Sequence, residues 1–306
     1  MMMTEARLFD ALRGTLARNA PLARYTSWRC GGAADLLYVP ADRDDLAAFV
    51  RQWPETEPLT VIGLGSNLLV RDGGVRGATI VLHATNARVE WREDLVRADA
   101  GVASPKVARF AALHGRGGAE FLAGIPGTIG GALAMNAGCY GGETWRYVAR
   151  VEVLTRAGTF EQRSPADYSI GYRSVRRADG SPPDGVFTMA WFDFPPGDTD
   201  DARACMRELL KRRIATQPLE LPNAGSVFRN PQSDYAARLI ESCGLKGFAI
   251  GGAQVSEKHA NFIVNPGGRA SAADIESLIA HVRRVVRERS GIDLEPEVRI
   301  VGEHAA

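Results

Sequence analysis

Residues Val61 to Gly74, VIGLGSNLLVRDGG, decide how the rest of the chain is read. Thr60 to Ile62 lead into them as a buried strand, and Gly63 and Gly65 then let backbone N–H groups approach a phosphate closely. A βαβ dinucleotide fingerprint would continue with a third glycine and a helix. Here Leu68, Leu69 and Val70 continue as a strand-like apolar run, which argues against that architecture. The chain contains no GxxxxGK followed by Ser or Thr, so an ATPase or GTPase is disfavoured.

A second stretch, AGIPGTIGGALAMNAGCYGGE from Ala123 to Glu143, places Gly124, Gly127, Gly130, Gly131, Gly138, Gly141 and Gly142 around Pro126 and Asn136. Glycine at this density costs folding entropy unless the backbone needs positive φ or a very close approach. One such cluster is compatible with a tight turn, or with a helix start pressed against a strand. Two clusters with apolar flanks favour a bound dinucleotide.

The chain has 306 residues, 45% of them apolar and 24% charged, enough for two or three compact units with their own cores. Lysine plus arginine (37) nearly balance aspartate plus glutamate (36), so there is no net field to recruit nucleic acid or anionic lipid. A small-molecule partner is expected. The N-terminal MMMTEARLFDALRGTLARN has early acidic residues and no apolar run of membrane or signal-peptide length, and a cytoplasmic protein without membrane insertion is expected. Cys30, Cys139, Cys205 and Cys243 lack the close spacing of zinc or redox sites and read as reduced thiols. No histidine stands in a metal-ligand pattern, so no metal is expected.

Periodicity predicts an amphipathic helix over 5–18, a strand over Leu36–Val39 and a helix over Arg43–Gln52. Short strands follow in TIVLH, RVEW and LVRAD, then a helix over Pro105–His114. VARVEVLTRAG and VFTMAWFDF read as strands separated by an exposed RADGSPPDG loop. The last third reads as a helix over Asp200–Ala215, a loop-strand NAGSVF, and a helix over Tyr235–Cys243 stopped by Gly244. The strand NFIVN, a helix over Ala272–Arg289 and a strand over Glu297–Val301 complete it. Helices and strands do not alternate strictly, which predicts an α+β fold.

GLGSNLLV with GIPGTIGGALAMNAG resembles the FAD-binding fold of the vanillyl-alcohol oxidase type. TSWRCGGAAD, GYR, QPLELPNAGSVFRNP, GLKGFAIGGAQVSEKHANFIVN and LEPEVRIVG further resemble the UDP-N-acetylenolpyruvoylglucosamine reductases, in their shorter type II form. The resemblance implies two FAD-binding subdomains, 1–83 with the terminal strand 297–306 and 84–198, followed by a substrate-binding domain, 199–296. It implies non-covalent FAD held by Gly63, Gly65, Ser66, Asn67, Leu68, Gly124, Pro126, Gly127, Gly130, Gly131, Asn136 and Gly138, and NADPH as co-substrate.

The implied reaction reduces UDP-N-acetylglucosamine enolpyruvate to UDP-N-acetylmuramate in peptidoglycan precursor synthesis, by a monomeric enzyme. Hydride passes from flavin N5 to substrate C3, leaving negative charge over C2 and the carboxylate, so a cation beside the carboxylate and an acid at C2 are needed. The resemblance assigns the acid to Ser226, the cation to Arg173 and a carboxylate partner to Glu297. Taken alone, Ser226 would read as a turn or strand cap and Arg173 as a surface arginine. Tyr172, Gln217, Lys246 and Asn261 are implied substrate or NADPH contacts, and Lys258 and His259 could reach a phosphate. The chain departs from the family pattern where Ser174 directly follows Arg173 and RRADGSPPDG comes next, which predicts a loop of different shape. The rival readings are an oxidase of the same flavin fold, with Cys139 near enough for a covalent tether, and a binding protein that has lost the chemistry.

Overall fold

The computed structural model of the chain describes residue 9, residues 11–83 and residues 87–305. The chain forms two compact units, Met1–Ala17 with Leu37–Gly63 and Gly77–Leu210, and Arg18–Leu36 with Leu64–Arg76 and Lys211–Ala306.

The first unit is built on an antiparallel five-stranded sheet in the order Phe160–Arg163, Val148–Leu154, Val186–Phe192, Leu95–Asp99, Val89–Arg92. Alternate residues along these strands share a face, so Val96, Ala98, Val151, Val153, Ala190 and Phe192 form one apolar surface. Helices Ser104–Leu113 and Ile129–Met135 cover it with Val107, Ala108, Ala111 and with Ile129, Ala132, Leu133. Glu152 points to the opposite face, where Arg43 grips it from Nε at 2.8 Å and Nη2 at 2.6 Å. That pair fastens helix Arg43–Gln52, whose first turn is closed by Asp42 accepting the Asp45 amide at 3.0 Å. Strand Leu59–Ile62, which delivers the first glycine-rich segment, pairs in parallel with Val75–Val81.

The second unit packs helices Ala236–Ser242 and Ala272–Ser290 with Trp28, Leu69, Val227 and Phe228 in one core. The long helix buries Ile275, Leu278, Ile279, Val282 and Val286 at helical spacing. A Ser271–Asp274 capping box begins it, Asp72 accepts the Ala272 and Ala273 amides at 2.9 Å each, and left-handed Gly291 ends it. Strand Leu68–Val70 pairs in parallel with Arg299–Val301.

The mixture of an antiparallel sheet, short parallel pairs and unevenly spaced helices bears out the α+β reading. The expected helix over 5–18 is corrected. Residues 1–8 and 10 lie outside the described residues, and Thr15–Pro21 is a strand beside Ala33–Val39. Helical spacing there is overridden by non-local strand pairing, with Asn19 at φ 49° already outside helical conformation. The terminal strand is also shorter than expected, Arg299–Val301, because the Glu297 and Val298 amides both turn to the Val227 carbonyl.

Candidate functional site

The first glycine-rich segment is constrained on both sides. A Cβ at Gly63 would strike the Thr128 hydroxyl, so in the first unit the start of one glycine-rich segment lies directly against the other. In the second unit Gly65 has φ 60°, and a Cβ there would run into the Tyr25 carbonyl. Its own carbonyl accepts from Ser27 N at 3.2 Å. Ser66 is half-buried. Asn67 donates from Nδ2 to the Glu297 carbonyl at 3.1 Å and accepts from Arg299 N at 3.0 Å, and Leu68 is registered against Arg299.

The second segment is laced to residues 100–104. Ser104 N donates to Gly127 O at 2.9 Å, Ile129 N to Val102 O at 2.9 Å and Gly130 N to Ala100 O at 2.8 Å. A Cβ at Gly130 would come within 3.0 Å of Ala100 Cβ, whereas one at Gly131 would meet nothing nearer than Thr128 Oγ1 at 3.7 Å. Gly131 therefore leaves its backbone approachable. A Cβ at Gly124 would come within 2.8 Å of Cys139 Sγ, Gly138 is packed against Glu143, and Pro126 is exposed. Asn136 ends helix Ile129–Met135 in left-handed conformation.

Arg173 sits in the two-residue turn of the hairpin Tyr168–Gly171 and Ser174–Arg177, with Gly171 opposite Ser174. Its φ is 52°, and its guanidinium donates to Asn136 O at 3.3 Å and to Gly138 O at 2.6 Å. The arginine is thus placed against the end of the second glycine-rich segment. Tyr172 is 47% exposed, with the Arg173 guanidinium 5.1 Å from its ring centroid. Ser174, directly after Arg173, opens the return strand opposite Gly171, and Val175 goes into the core at 6% exposure.

In the second unit the backbone segments that carry Ser226 and Glu297 pair with each other. Glu297 N donates to Val227 O at 2.7 Å, and Arg229 N donates to Glu295 O at 2.9 Å, zipping AGSVFRN against LEPEV. An Arg229–Glu295 ion pair at 2.8 Å extends this seam. Beside Ser226, Gly225 has φ 76° and a Cβ there would meet nothing within 4 Å, leaving open space next to the hydroxyl-bearing residue.

Asn261, expected as a substrate contact, is 4% exposed and spends both ends of its amide on Phe228, accepting from its N at 2.9 Å and donating to its O at 2.8 Å. It holds the loop that carries Ser226. Asn223, which the sequence reading did not single out, does the same on the other side, accepting Gly225 N at 3.0 Å. Gln217 ends the helix Thr199–Thr216, with its Oε1 taking Arg213 Nε at 3.1 Å. Lys246 pairs with Glu241 at 2.8 Å, and Lys258 Nζ donates to Ile214 O at 2.7 Å. Burial pushes the His259 pKa down, favouring neutral imidazole. Burial pushes the Cys30 thiol up to about 12, so it is inert. Cys139 donates from Sγ to Phe121 O at 3.0 Å. Among the described residues no group of three or more His, Cys, Asp or Glu is placed to hold a metal ion, and no helix is long and apolar enough to cross a membrane.

These features fit an FAD. A cavity of about 690 Å³ in the first unit is lined by Pro40, Ala41, Leu82, Ala100, Gly101 and Met189 among others, and the lacing of Gly130 to Ala100 brings the second glycine-rich segment to its wall. Ser104, joined to Gly127, carries a buried hydroxyl that has no hydrogen-bond partner among the described residues.

Comparison with known proteins agrees. Residues 34–163 match the family model described as FAD binding domain, and residues 217–301 match UDP-N-acetylenolpyruvoylglucosamine reductase, C-terminal domain. The chain is therefore an FAD-dependent oxidoreductase with a reductase-type C-terminal domain. UDP-N-acetylenolpyruvoylglucosamine reductase from Nitrosospira multiformis is 56% identical over 96% of this chain and 90% of its own. Its Nitrosomonas eutropha counterpart is 54% identical with the same coverage of 96% and 90%. The crystal structure of the reductase (MurB) from Thermus caldophilus superimposes with a TM-score of 0.77 at 32% identity, covering 94% of this chain and 99% of that one. The chain belongs to the UDP-N-acetylenolpyruvoylglucosamine reductase family.

Proposed function

We propose that this enzyme reduces the enolpyruvyl ether of UDP-N-acetylglucosamine enolpyruvate to the lactyl ether of UDP-N-acetylmuramate, a cytoplasmic step of peptidoglycan precursor synthesis, with NADPH as reductant. FAD, when bound, relays hydride from NADPH to substrate C3. Residues 1–83 with 297–306, and 84–198, serve as the FAD-binding subdomains, and 199–296 as the substrate-binding domain of a monomer. Gly63, Gly65, Ser66, Asn67 and Leu68 would hold the cofactor with Gly124, Pro126, Gly127, Gly130, Gly131 and Gly138, of which Gly131 leaves space for close backbone approach.

The remaining chemistry belongs to the chain's own side chains. Saturating the double bond consumes one hydride and one proton, and the Ser226 hydroxyl supplies the proton to C2 as negative charge develops there. Arg173 offers a planar guanidinium to the substrate carboxylate, where a single ammonium would give less directional binding. Glu297 is the carboxylate that acts with Arg173 on that charge. The observation that supports this reading is the 2.7 Å bond from Glu297 N to Val227 O, which pairs the backbone of Glu297 with that of the residue after Ser226 although the two are distant in sequence.

The test is anaerobic. Purified yellow protein is bleached with NADPH and then mixed with UDP-N-acetylglucosamine enolpyruvate. Rapid return of the flavin absorbance with formation of the lactyl ether is expected; a bleached protein that this substrate leaves unchanged, and that only oxygen reoxidises, would move the chain to the oxidases of the same flavin fold.

A further inference from the structure

Asn136 is 1% exposed, and its side chain joins three segments of the first unit. Its Nδ2 donates to Gly171 O at 3.1 Å and to Glu143 Oε2 at 3.1 Å, while its Oδ1 accepts from Trp145 N at 3.1 Å. An amide nitrogen has two protons, and both are spent on protein acceptors. The side chain therefore has no donor left for a cofactor, the role expected for this residue in the sequence.

Its contacts converge on Arg173 instead. Gly171 is the last residue of the strand entering the Tyr172–Arg173 turn, and the Asn136 amide pins its carbonyl. The Asn136 carbonyl takes the Arg173 guanidinium at 3.3 Å. Arg173 occupies left-handed backbone at φ 52°, a conformation unfavourable for a long side chain that persists only where the surroundings over-determine it. Asn136, itself at φ 46°, is of a residue type that tolerates that region, so it can present its carbonyl and its side chain to the same hairpin.

The geometry points to Asn136 as a positioning residue for Arg173, fixing both the strand that enters the turn and the guanidinium that leaves it. This rests on the reading of Arg173 as the cation at the substrate carboxylate. Release of the Gly171 anchor would let the turn relax and carry the guanidinium away from its set direction. Displacement of a charged group by about 1 Å can cost on the order of 10²-fold in rate.

The holoenzyme is tested by rapid mixing, with flavin reduction by NADPH and flavin reoxidation by substrate measured separately. Asn136→Gly keeps the left-handed backbone and deletes the amide; Asn136→Asp keeps an acceptor for Trp145 N and deletes the donors, and serves if the glycine variant fails to fold. For either, FAD content and flavin reduction should stay within about twofold of wild type while reoxidation slows by roughly 10- to 100-fold. Added to Arg173→Lys, the same change should slow reoxidation by less than about twofold, since a residue acting through Arg173 then has nothing to position. Loss of FAD, slowed flavin reduction, wild-type reoxidation, or losses that multiply in the double variant would each overturn the assignment. Wild-type reoxidation by Arg173→Lys alone would overturn it too, and would locate the failure in the reading of Arg173.

Discussion

The amide of Glu297 donates a 2.7 Å hydrogen bond to the carbonyl of Val227. The residue before Val227 is Ser226, so the proposed proton donor and Glu297 lie on one stretch of backbone pairing, fastened again by the Arg229–Glu295 ion pair at 2.8 Å. Asn261 binds Phe228 and Asn223 binds Gly225 N within the loop that carries Ser226.

On the proposed reading Ser226→Ala removes the proton donor and nothing from the backbone seam. Flavin reduction by NADPH should stay near wild type, while reoxidation by the enolpyruvyl substrate should fall by on the order of a thousandfold or more, because the missing acid acts only after hydride has left the flavin. Stopped-flow measurement of the two half-reactions decides it. Equal loss in both would make the serine a structural residue.

How far the sequence was legible depended on whether a feature is local. Helix Arg43–Gln52 has the expected bounds because its Asp42 cap and apolar spacing lie within a few residues of one another. The glycine-rich segments were legible because glycine is chosen for backbone geometry, and Gly65 at φ 60° under the Tyr25 carbonyl is such a choice. Thr15–Pro21 was not, since its partner strand begins at Ala33 and no local pattern names it. Asn136 and Asn261 have the polarity of ligand contacts, and only burial against backbone groups shows where their amides point. The left-handed turn at Arg173 carries no glycine to announce it.

The Arg43–Glu152 pair joins helix Arg43–Gln52 to the five-stranded sheet, and its two ends differ in exposure: 40% for the arginine side chain, 8% for the glutamate. Thr188 Oγ1 also donates to Glu152 Oε1, at 2.8 Å. Arg43→Met strands a buried carboxylate, whereas Glu152→Gln leaves an arginine that can turn to water. Urea unfolding should therefore show the larger loss for Arg43→Met, about 2–4 kcal/mol against about 1–2 kcal/mol for Glu152→Gln. The reverse order would mean that the arginine's desolvation, not the carboxylate's, dominates the pair.

A titration signature is expected from Arg71 and Glu276. The arginine donates to the carboxylate from Nε at 3.0 Å and Nη2 at 2.8 Å and anchors its own Nη1 on Gly302 O at 3.2 Å. Hydrogen bonding by Arg71 holds the Glu276 carboxyl below the usual range, against a smaller opposing effect of burial. A carboxylate with a depressed folded pKa stabilises the fold above the unfolded value, about 4.3 for glutamate, and that contribution disappears as pH falls through the folded value. Glu276→Gln should thus be less stable than wild type at about pH 7, and the gap should narrow as pH falls below about 4.3 toward the lowered folded value. Paired urea melts at about pH 7 and about pH 3.5 measure this directly. A difference that stays constant between those pH values would assign the loss to packing of the helix Ala272–Ser290 and remove the ion pair from the account.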